Sequence, residues 1–275
     1  MKRLLIGSAH GRIAAQILPA FGAMVAQLSV DGVPVLRMNE GMLGLGNVLS
    51  GGIPVLFPFA GRFGDNAARF GGADYHMPMH GFAKDSPFEV IEADAQHCAL
   101  QLCATEQTMR AFYPFDFRLE MDYRAEPDGL STTAIIENRS REPMPFALGY
   151  HPYLRASDPR ACALSLNKRD YFDYLNGGAH GTLDGAIDLS RAWDHVFFGA
   201  DAVRATLENP IDRYRATFTC DDAFSVLTLC TTQPGALCVE PWQAPPNAKA
   251  TPDAPPCQLL DPGCTARYAY KIALI

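Results

Sequence analysis

Three short segments of this chain carry ionisable side chains in settings that a plain core strand would not choose. The first runs from Gly51 to Asn66 and resumes at Met79-His80-Gly81-Phe82-Ala83; it holds Arg62 and His80. The second is Leu148-Gly149-Tyr150-His151-Pro152-Tyr153-Leu154. The third is Cys238-Val239-Glu240-Pro241-Trp242-Gln243-Ala244-Pro245-Pro246-Asn247. In each, a titratable group stands beside glycine or proline and aromatics at the end of an apolar run. Glycine lets a backbone or a ligand approach closely, and an aromatic face gives an apolar platform. A buried, unpaired histidine or glutamate is costly, so it needs a partner or a task. An imidazole and a carboxylate facing a common gap are the components of general acid–base catalysis.

Taken in order, these segments contain Gly-Arg with a following Asn, His-Gly-Phe, Gly-x-His-Pro-Tyr and Val-Glu-Pro-Trp-x-x-x-Pro-Asn, with a Trp193-Asp194-His195-Val196-Phe197 block between the last two. The chain resembles the aldose 1-epimerase (galactose mutarotase-like) superfamily over most of its length, from Gly51 to Trp242. The resemblance implies a large antiparallel β-supersandwich, a role in carbohydrate metabolism and an isomerase that interconverts the α and β anomers of a free aldose. Residue by residue, it implies that His151 is the general acid, Glu240 the general base and His80 a second histidine near the ring oxygen. Arg62 and Asp194 match groups that hold sugar hydroxyls. No cofactor and no metal is implied. The Gly-Arg motif departs from the family ending, with Asp65-Asn66 followed by Arg69, so Arg62 and Arg69 both stand as candidates for the sugar contact.

Such chemistry breaks the C1–O5 bond of a hemiacetal and re-forms it on the other face, with a carboxylate taking the C1 hydroxyl proton while an imidazolium protonates O5. A histidine acting as acid near neutral pH is expected to keep much of its positive charge, helped by Glu240, and to give a bell-shaped pH profile. Competing readings exist for the same residues. Arg62 could pair with Asp65 on a turn, Asp194 could cap a turn, and Trp242 and Phe82 could be plain core. His10, His97 and His180 read as structural. His76 and His80 have a metal-pair spacing, but Pro78 between them argues against a helix that would aim both rings one way. A cupin-like centre of His76, His80, His151 and Glu240 is the metal alternative. A hexose-6-phosphate mutarotase would need extra cations, for which Arg62, Lys84 and Arg155 are at hand; a carbohydrate-binding protein without turnover is the third alternative.

The elements that must position these groups read as strands. Apolar and polar residues alternate in Leu100-Gln101-Leu102 and from Phe115 to Arg124, which places one set of side chains on a core face. Similar patterns run from Leu130 to Glu137, Ala161 to Leu166, Arg215 to Cys220, Phe224 to Cys230 and Arg267 to Ile275. Glu126-Pro127-Asp128-Gly129 predicts a hairpin turn. Only Thr105 to Ala111 and Leu189 to Asp194 read as short helices, and a Pro-rich loop runs from Ala244 to Pro256. The expected architecture is all-β, one antiparallel sandwich over 1–275 without a linker or internal repeat.

Composition narrows the partners. The net charge of -7 carries no basic cluster, which speaks against nucleic acid. Met1 to Ile6 imitates the start of a signal peptide, but His10 and Arg12 interrupt it. No stretch approaches the roughly 20 apolar residues of a membrane span. The chain therefore reads as soluble and cytoplasmic, with a small-molecule sugar as its partner and no reading of its oligomeric state. It has eight cysteines but no CxxC pair. Cys98, Cys103, Cys162, Cys220, Cys230 and Cys238 sit in strand-like runs, where they act as small hydrophobes.

Overall fold

In the computed structural model, which describes residues 2–43, 51–104, 109–245 and 255–275, strands dominate and the helical segments are three-residue 3-10 turns. An eight-stranded antiparallel sheet runs in the order Ala163–Leu166, Arg204–Asn209, Tyr214–Cys220, Thr265–Leu274, Gly129–Asn138, Phe117–Glu126, His97–Cys103, Glu89–Ala93. A second runs Ala179–Thr182, Asp170–Asp173, Asp194–Phe198, Val226–Cys230, Ala236–Trp242, Gly149–Tyr150, Val55–Leu56, with Tyr153–Arg155 also on Ala236–Trp242. A four-stranded sheet is built from Leu4–Gly7, Ile13–Leu18, Met24–Val30 and Val33–Pro34.

The alternation read in the sequence is the alternation of burial. Phe117–Glu126 buries Phe117, Leu119, Met121, Tyr123 and Ala125 and turns the residues between them outward. It pairs with Gly129–Asn138 from Phe117↔Asn138 to Glu126↔Gly129, so Pro127-Asp128 closes the hairpin as expected. One continuous core joins the inner faces of both large sheets, taking Leu119, Met121 and Ile272 from the first and Phe197, Leu227, Leu229 and Val239 from the second. Burial of this apolar surface, at about 25 cal/mol per Å², is the main force holding the sheets together. No described helix is long and apolar enough to cross a membrane.

Two local readings change. Leu189 to Asp194 is not helical: the Trp193 backbone N–H donates to Thr231 Oγ1 at 2.9 Å and its indole N–H to the Asp188 carbonyl at 2.8 Å, and a strand begins at Asp194. Of Thr105 to Ala111, residues 105–108 lie outside the described residues and the rest is turn. Residues 246–254 of the Pro-rich loop, with Asn247, also lie outside them. Four described strands precede Gly51 where the residue pattern predicts none, and the first of them, Leu4–Gly7, overlaps the Met1 to Ile6 run that imitates a leader.

The second sheet is buried on both faces where it matters. Every residue of Ala236–Trp242 is buried. Leu237 and Val239 enter the sandwich core, so by alternation Cys238, Glu240 and Trp242 face the other side. The same rule separates Tyr150 from its neighbours. Its ring stacks on Tyr270 of the first sheet at 4.7 Å, which leaves Gly149 and His151 to face away from the core. Gly149 lies opposite Trp242, and a Cβ there would meet Trp242 Cδ1 at 2.7 Å and Ala60 Cβ at 2.9 Å. Gly149→Ala is therefore expected to displace the indole and to lower unfolding free energy by about 1–3 kcal/mol in urea titrations.

Candidate active site

The register of the second sheet writes two rows of side chains onto its outer face. Asp194 opposes Cys230, Cys230 opposes Cys238, and Cys238 opposes Tyr153. In the next row Val196 opposes Thr228 and Thr228 opposes Glu240. Opposed residues of an antiparallel pair project to the same side. A cleft of about 550 Å³ lies over this face. Arg62, His80, His151, Asp194 and Glu240 all line it, together with Thr228, Trp242, Tyr174, Met79 and the Gly61–Gly64 turn. The five residues singled out from the sequence thus meet at one place.

At its centre His151 Nε2 lies 3.3 Å from Glu240 Oε1. The His151 ring stacks on Tyr153 with centroids 4.4 Å apart and planes at 7°, and the Tyr153 hydroxyl is 3.4 Å from the same Nε2. His151 and Tyr153 are two residues apart on an extended segment, which is why their rings share a face. Tyr153 was quoted in a motif but given no role; its register opposite Cys238 is not visible in the chain order.

Electrostatics alter the expected protonation. Burial pushes the Glu240 carboxyl well above its ordinary range, with Cys230 and Asp194 adding to the shift. The nearby Trp242 indole favours the carboxylate without meeting hydrogen-bond geometry to it, and burial outweighs its effect. Burial likewise pushes His151 well below its ordinary value, helped by His80. A pair of opposite charges 3.3 Å apart attracts by about 5 kcal/mol at an effective dielectric of about 20. Removing two ions from water costs several kcal/mol for each. Burial of both groups thus favours a neutral imidazole beside a protonated carboxyl, which runs against the expectation that His151 keeps much of its charge.

His80 is held by its own loop. The Gly61 N–H donates to His80 Nδ1 at 3.0 Å, and the His80 N–H donates to the Gly61 carbonyl at 2.7 Å. His80 has φ 64°, a left-handed conformation unusual outside glycine. Gly81 follows with φ 69°, and a Cβ there would collide with the Phe57 carbonyl, which accepts from the N–H groups of Phe82 and Ala83. The His-Gly-Phe motif thus records a tight backbone crossing. Burial lowers His80 to about 3, with Lys84 and Arg62 contributing. With Nδ1 accepting a bond, the neutral ring carries its proton on Nε2 and acts as a donor.

The remaining residues sort by position. Arg62 is exposed at the rim and donates to Asn66 Oδ1 and Met79 Sδ, both at 3.3 Å, rather than pairing with Asp65. Arg69 pairs with Asp74 at 3.9 Å and is not among the lining residues described. Asp194 is half-buried, and burial raises its pKa, with Asp173 adding to the effect. Phe82 packs on Tyr113 and Phe117 in the core, whereas Trp242 lines the cleft. His97 is tied to Asp122 at 2.7 Å. Thr228 and Tyr174 carried no sequence signal; only the register and the Tyr174–Asn176 turn bring them in.

The metal alternative loses its ligand set. His76 is exposed with its ring against Phe112, away from the described cleft lining, and His80 Nδ1 is already engaged. His151, Cys238 and Glu240 do bring potential ligand atoms within 4.8 Å of one another. Burial favours the protonated thiol and carboxyl there, and an ion would have to displace both protons.

The depressed His80 has a consequence for stability. The unfolded chain binds a proton at an ordinary imidazole value and the folded chain does not until about 3. Stability contributed by the neutral buried ring is full above the unfolded pKa and is lost as pH falls toward the folded one. Urea titrations from pH 7 to pH 5 should show wild-type stability falling by up to about 1.4 kcal/mol per pH unit more steeply than in His80→Asn. Equal slopes would remove the assignment.

Comparison with known proteins bears on the family and the fold. The family model described as Aldose 1-epimerase matches residues 6–266. The chain is 26% identical to the uncharacterized protein YihR of Escherichia coli (strain K12) over 222 residues, 70% of each chain. It is similar to the Slr1438 protein of Synechocystis, with TM-score 0.91, 26% identity, and coverage of 99% of this chain and 95% of that one. It shares the fold of a galactose mutarotase-like protein from Lactobacillus casei, with TM-score 0.83, 22% identity and full coverage of both chains. The order of the motifs, the double sheet and the family match together make this chain a member of the aldose 1-epimerase family.

Proposed function

We propose that this protein is a mutarotase that interconverts the anomers of a free aldohexose by general acid–base ring opening. One observation carries the reading. Four buried polar atoms lacking a partner among the described residues, His151 Nδ1, Glu240 Oε2, Thr228 Oγ1 and Trp242 Nε1, belong to residues lining the same cleft. Each such group costs about 1–3 kcal/mol unless something completes it. A polyhydroxylated ring supplies donors and acceptors in the plane and an apolar face for the indole.

Burial of both groups favours the form of the pair in which Glu240 holds the titratable proton. Its transfer to His151 across 3.3 Å produces the carboxylate and imidazolium that the reaction uses, and sugar hydroxyls bonded to both would compensate the charges. The Glu240 carboxylate takes the C1 hydroxyl proton while His151 protonates O5. The ring opens, the C1–C2 bond rotates, and the groups act in reverse on closure. His80, a neutral donor at Nε2, supports the ring-oxygen side, while Arg62 and Asp194 hold hydroxyls at the rim. Of the three cations raised for a phosphorylated substrate, Lys84 pairs with Asp85 and Arg155 with Asp212 at 3.0 Å. Only Arg62 of the three lines the cleft, which favours the unphosphorylated sugar.

Magnetisation-exchange NMR between the anomers of glucose, galactose and glucose 6-phosphate tests the reading. Glu240→Gln and His151→Asn should each lower turnover by about 10²-fold or more with the circular dichroism spectrum unchanged. Sugar binding without faster exchange would make the protein a binding module, and preference for glucose 6-phosphate would reassign the substrate. Because the singly protonated pair is the working form, kcat/KM should stay level through neutral pH. It should fall when His151 gains a proton, below the ordinary imidazole range, and when Glu240 loses one, above the ordinary carboxylate range.

A further inference from the structure

The first row of the cleft face contains a feature that anomer exchange does not use. Cys230 and Cys238 are directly opposed on antiparallel strands, and both sulfurs project to the side that carries Glu240 and His151. Opposed Cα atoms in such a ladder are about 4.5–5.5 Å apart, inside the range of about 4.4–6.8 Å that a disulfide spans. The two thiols differ in access. Cys238 is fully buried, packed with Tyr153, and its Sγ lies within 4.8 Å of ligating atoms of His151 and Glu240. Cys230 is half-buried, with Thr232 Oγ1 at 3.1 Å from its Sγ. The Cys238 thiol donating to Cys230 holds it at about 7, whereas burial holds Cys238 well above the ordinary range. A thiolate within reach of solvent thus leads to a protonated thiol against the acid–base pair. None of the eight cysteines is in a disulfide.

We propose that Cys230 and Cys238 form a peroxide-responsive dithiol on the sheet face beside the cleft, closing to a cross-strand disulfide that slows the enzyme. The Cys230 thiolate attacks hydrogen peroxide, takes one oxygen as a sulfenic acid and releases hydroxide. The Cys238 sulfur, giving up its proton, attacks the sulfenic sulfur; the S–S bond forms and the sulfenic oxygen leaves as water. In sum the thiols lose two hydrogens and the peroxide is reduced to two waters. A small dithiol reverses the step by exchange. Closure swings the Cys238 sulfur from His151 and Glu240 toward Cys230. It also ties the row beside Thr228↔Glu240, so the carboxyl and imidazole shift relative to a bound ring.

Disulfide formation stands on the thiol pair alone, and the effect on turnover rests on the mutarotase reading. The full-length chain is treated with hydrogen peroxide, blocked with N-ethylmaleimide, and divided between peptide mass mapping and anomer-exchange NMR; exposed Cys264 serves as the internal control for labelling. The expected result is a Cys230–Cys238 linked peptide and a fall in turnover of roughly tenfold or more, both reversed by dithiothreitol. Cys230→Ser, with Cys230→Ala as a second variant, should show no link and no peroxide-dependent fall. Oxidation of Cys230 without the link, or a link between other cysteines, overturns the dithiol. A link with unchanged turnover, or equal loss in the Cys230 variants, overturns its coupling to the site. A chain with no turnover before treatment sinks the proposed function, and the mapping still decides the disulfide.

Discussion

The register between Val226–Cys230 and Ala236–Trp242 is the constraint on which the cleft depends. Thr228↔Glu240 and Cys230↔Cys238 are consequences of that one alignment, as is the placement of Trp242 opposite Val226. Side chains alternate with a period of two, so a slip of one residue in Ala236–Trp242 would send Glu240 into the apolar core and Val239 into the cleft. The packing of Leu237 and Val239 against the sandwich core resists that slip. Stability of the fold and placement of the carboxyl are therefore one physical fact. The same logic holds for Tyr150, whose stacking on Tyr270 obliges His151 to face outward.

Burial then decides the state of the groups so placed. Pairing His151 with Glu240 in water would favour the ion pair; on a covered sheet face the cost of desolvating both outweighs their attraction. A neutral pair with unsatisfied polar atoms is costly to the folded protein. The rest of the structure tolerates it because the surrounding strands are locked by ladder bonds and by the large core. A site left short of hydrogen-bond partners gains more from a hydroxyl-rich ligand than one already satisfied by its own side chains. His80 shows the contrasting solution: its Nδ1 is satisfied by Gly61, which leaves one directed donor rather than a titrating group.

Much of this was legible in the residues. The alternation from Phe117 to Ala125, the Pro127-Asp128 hairpin and the long strand ending near the C-terminus follow from local pattern, because one face of each strand is buried and the other is not. The motif order brought out His80, His151, Asp194 and Glu240, and glycine placement was readable as close approach: Gly81 lies against Phe57 and Gly149 against Trp242. Leu189 to Asp194 misled because its polar and apolar spacing fits a helical turn, whereas Thr231 on the neighbouring segment claims the Trp193 N–H. Cys230 packs against Tyr153, Ala236 and Cys238 as a small strand hydrophobe should, but the cross-strand thiol that lowers its pKa to about 7 is not visible in the chain order.

By itself the sequence determined several long strands such as Phe117–Glu126 and Gly129–Asn138, the turn that joins them and the residue types available for proton transfer, since these depend on side-chain period, backbone freedom and local chemistry. Tertiary structure alone decided that His151 and Glu240 stand 3.3 Å apart and that Arg62 rather than Arg69 lines the cleft. It also decided that Tyr153 stacks on the histidine, and that burial pushes both members of the pair toward their neutral forms. The reason is physical. Register between strands distant in the chain fixes distances, and the depth of burial sets the dielectric in which a proton chooses its owner.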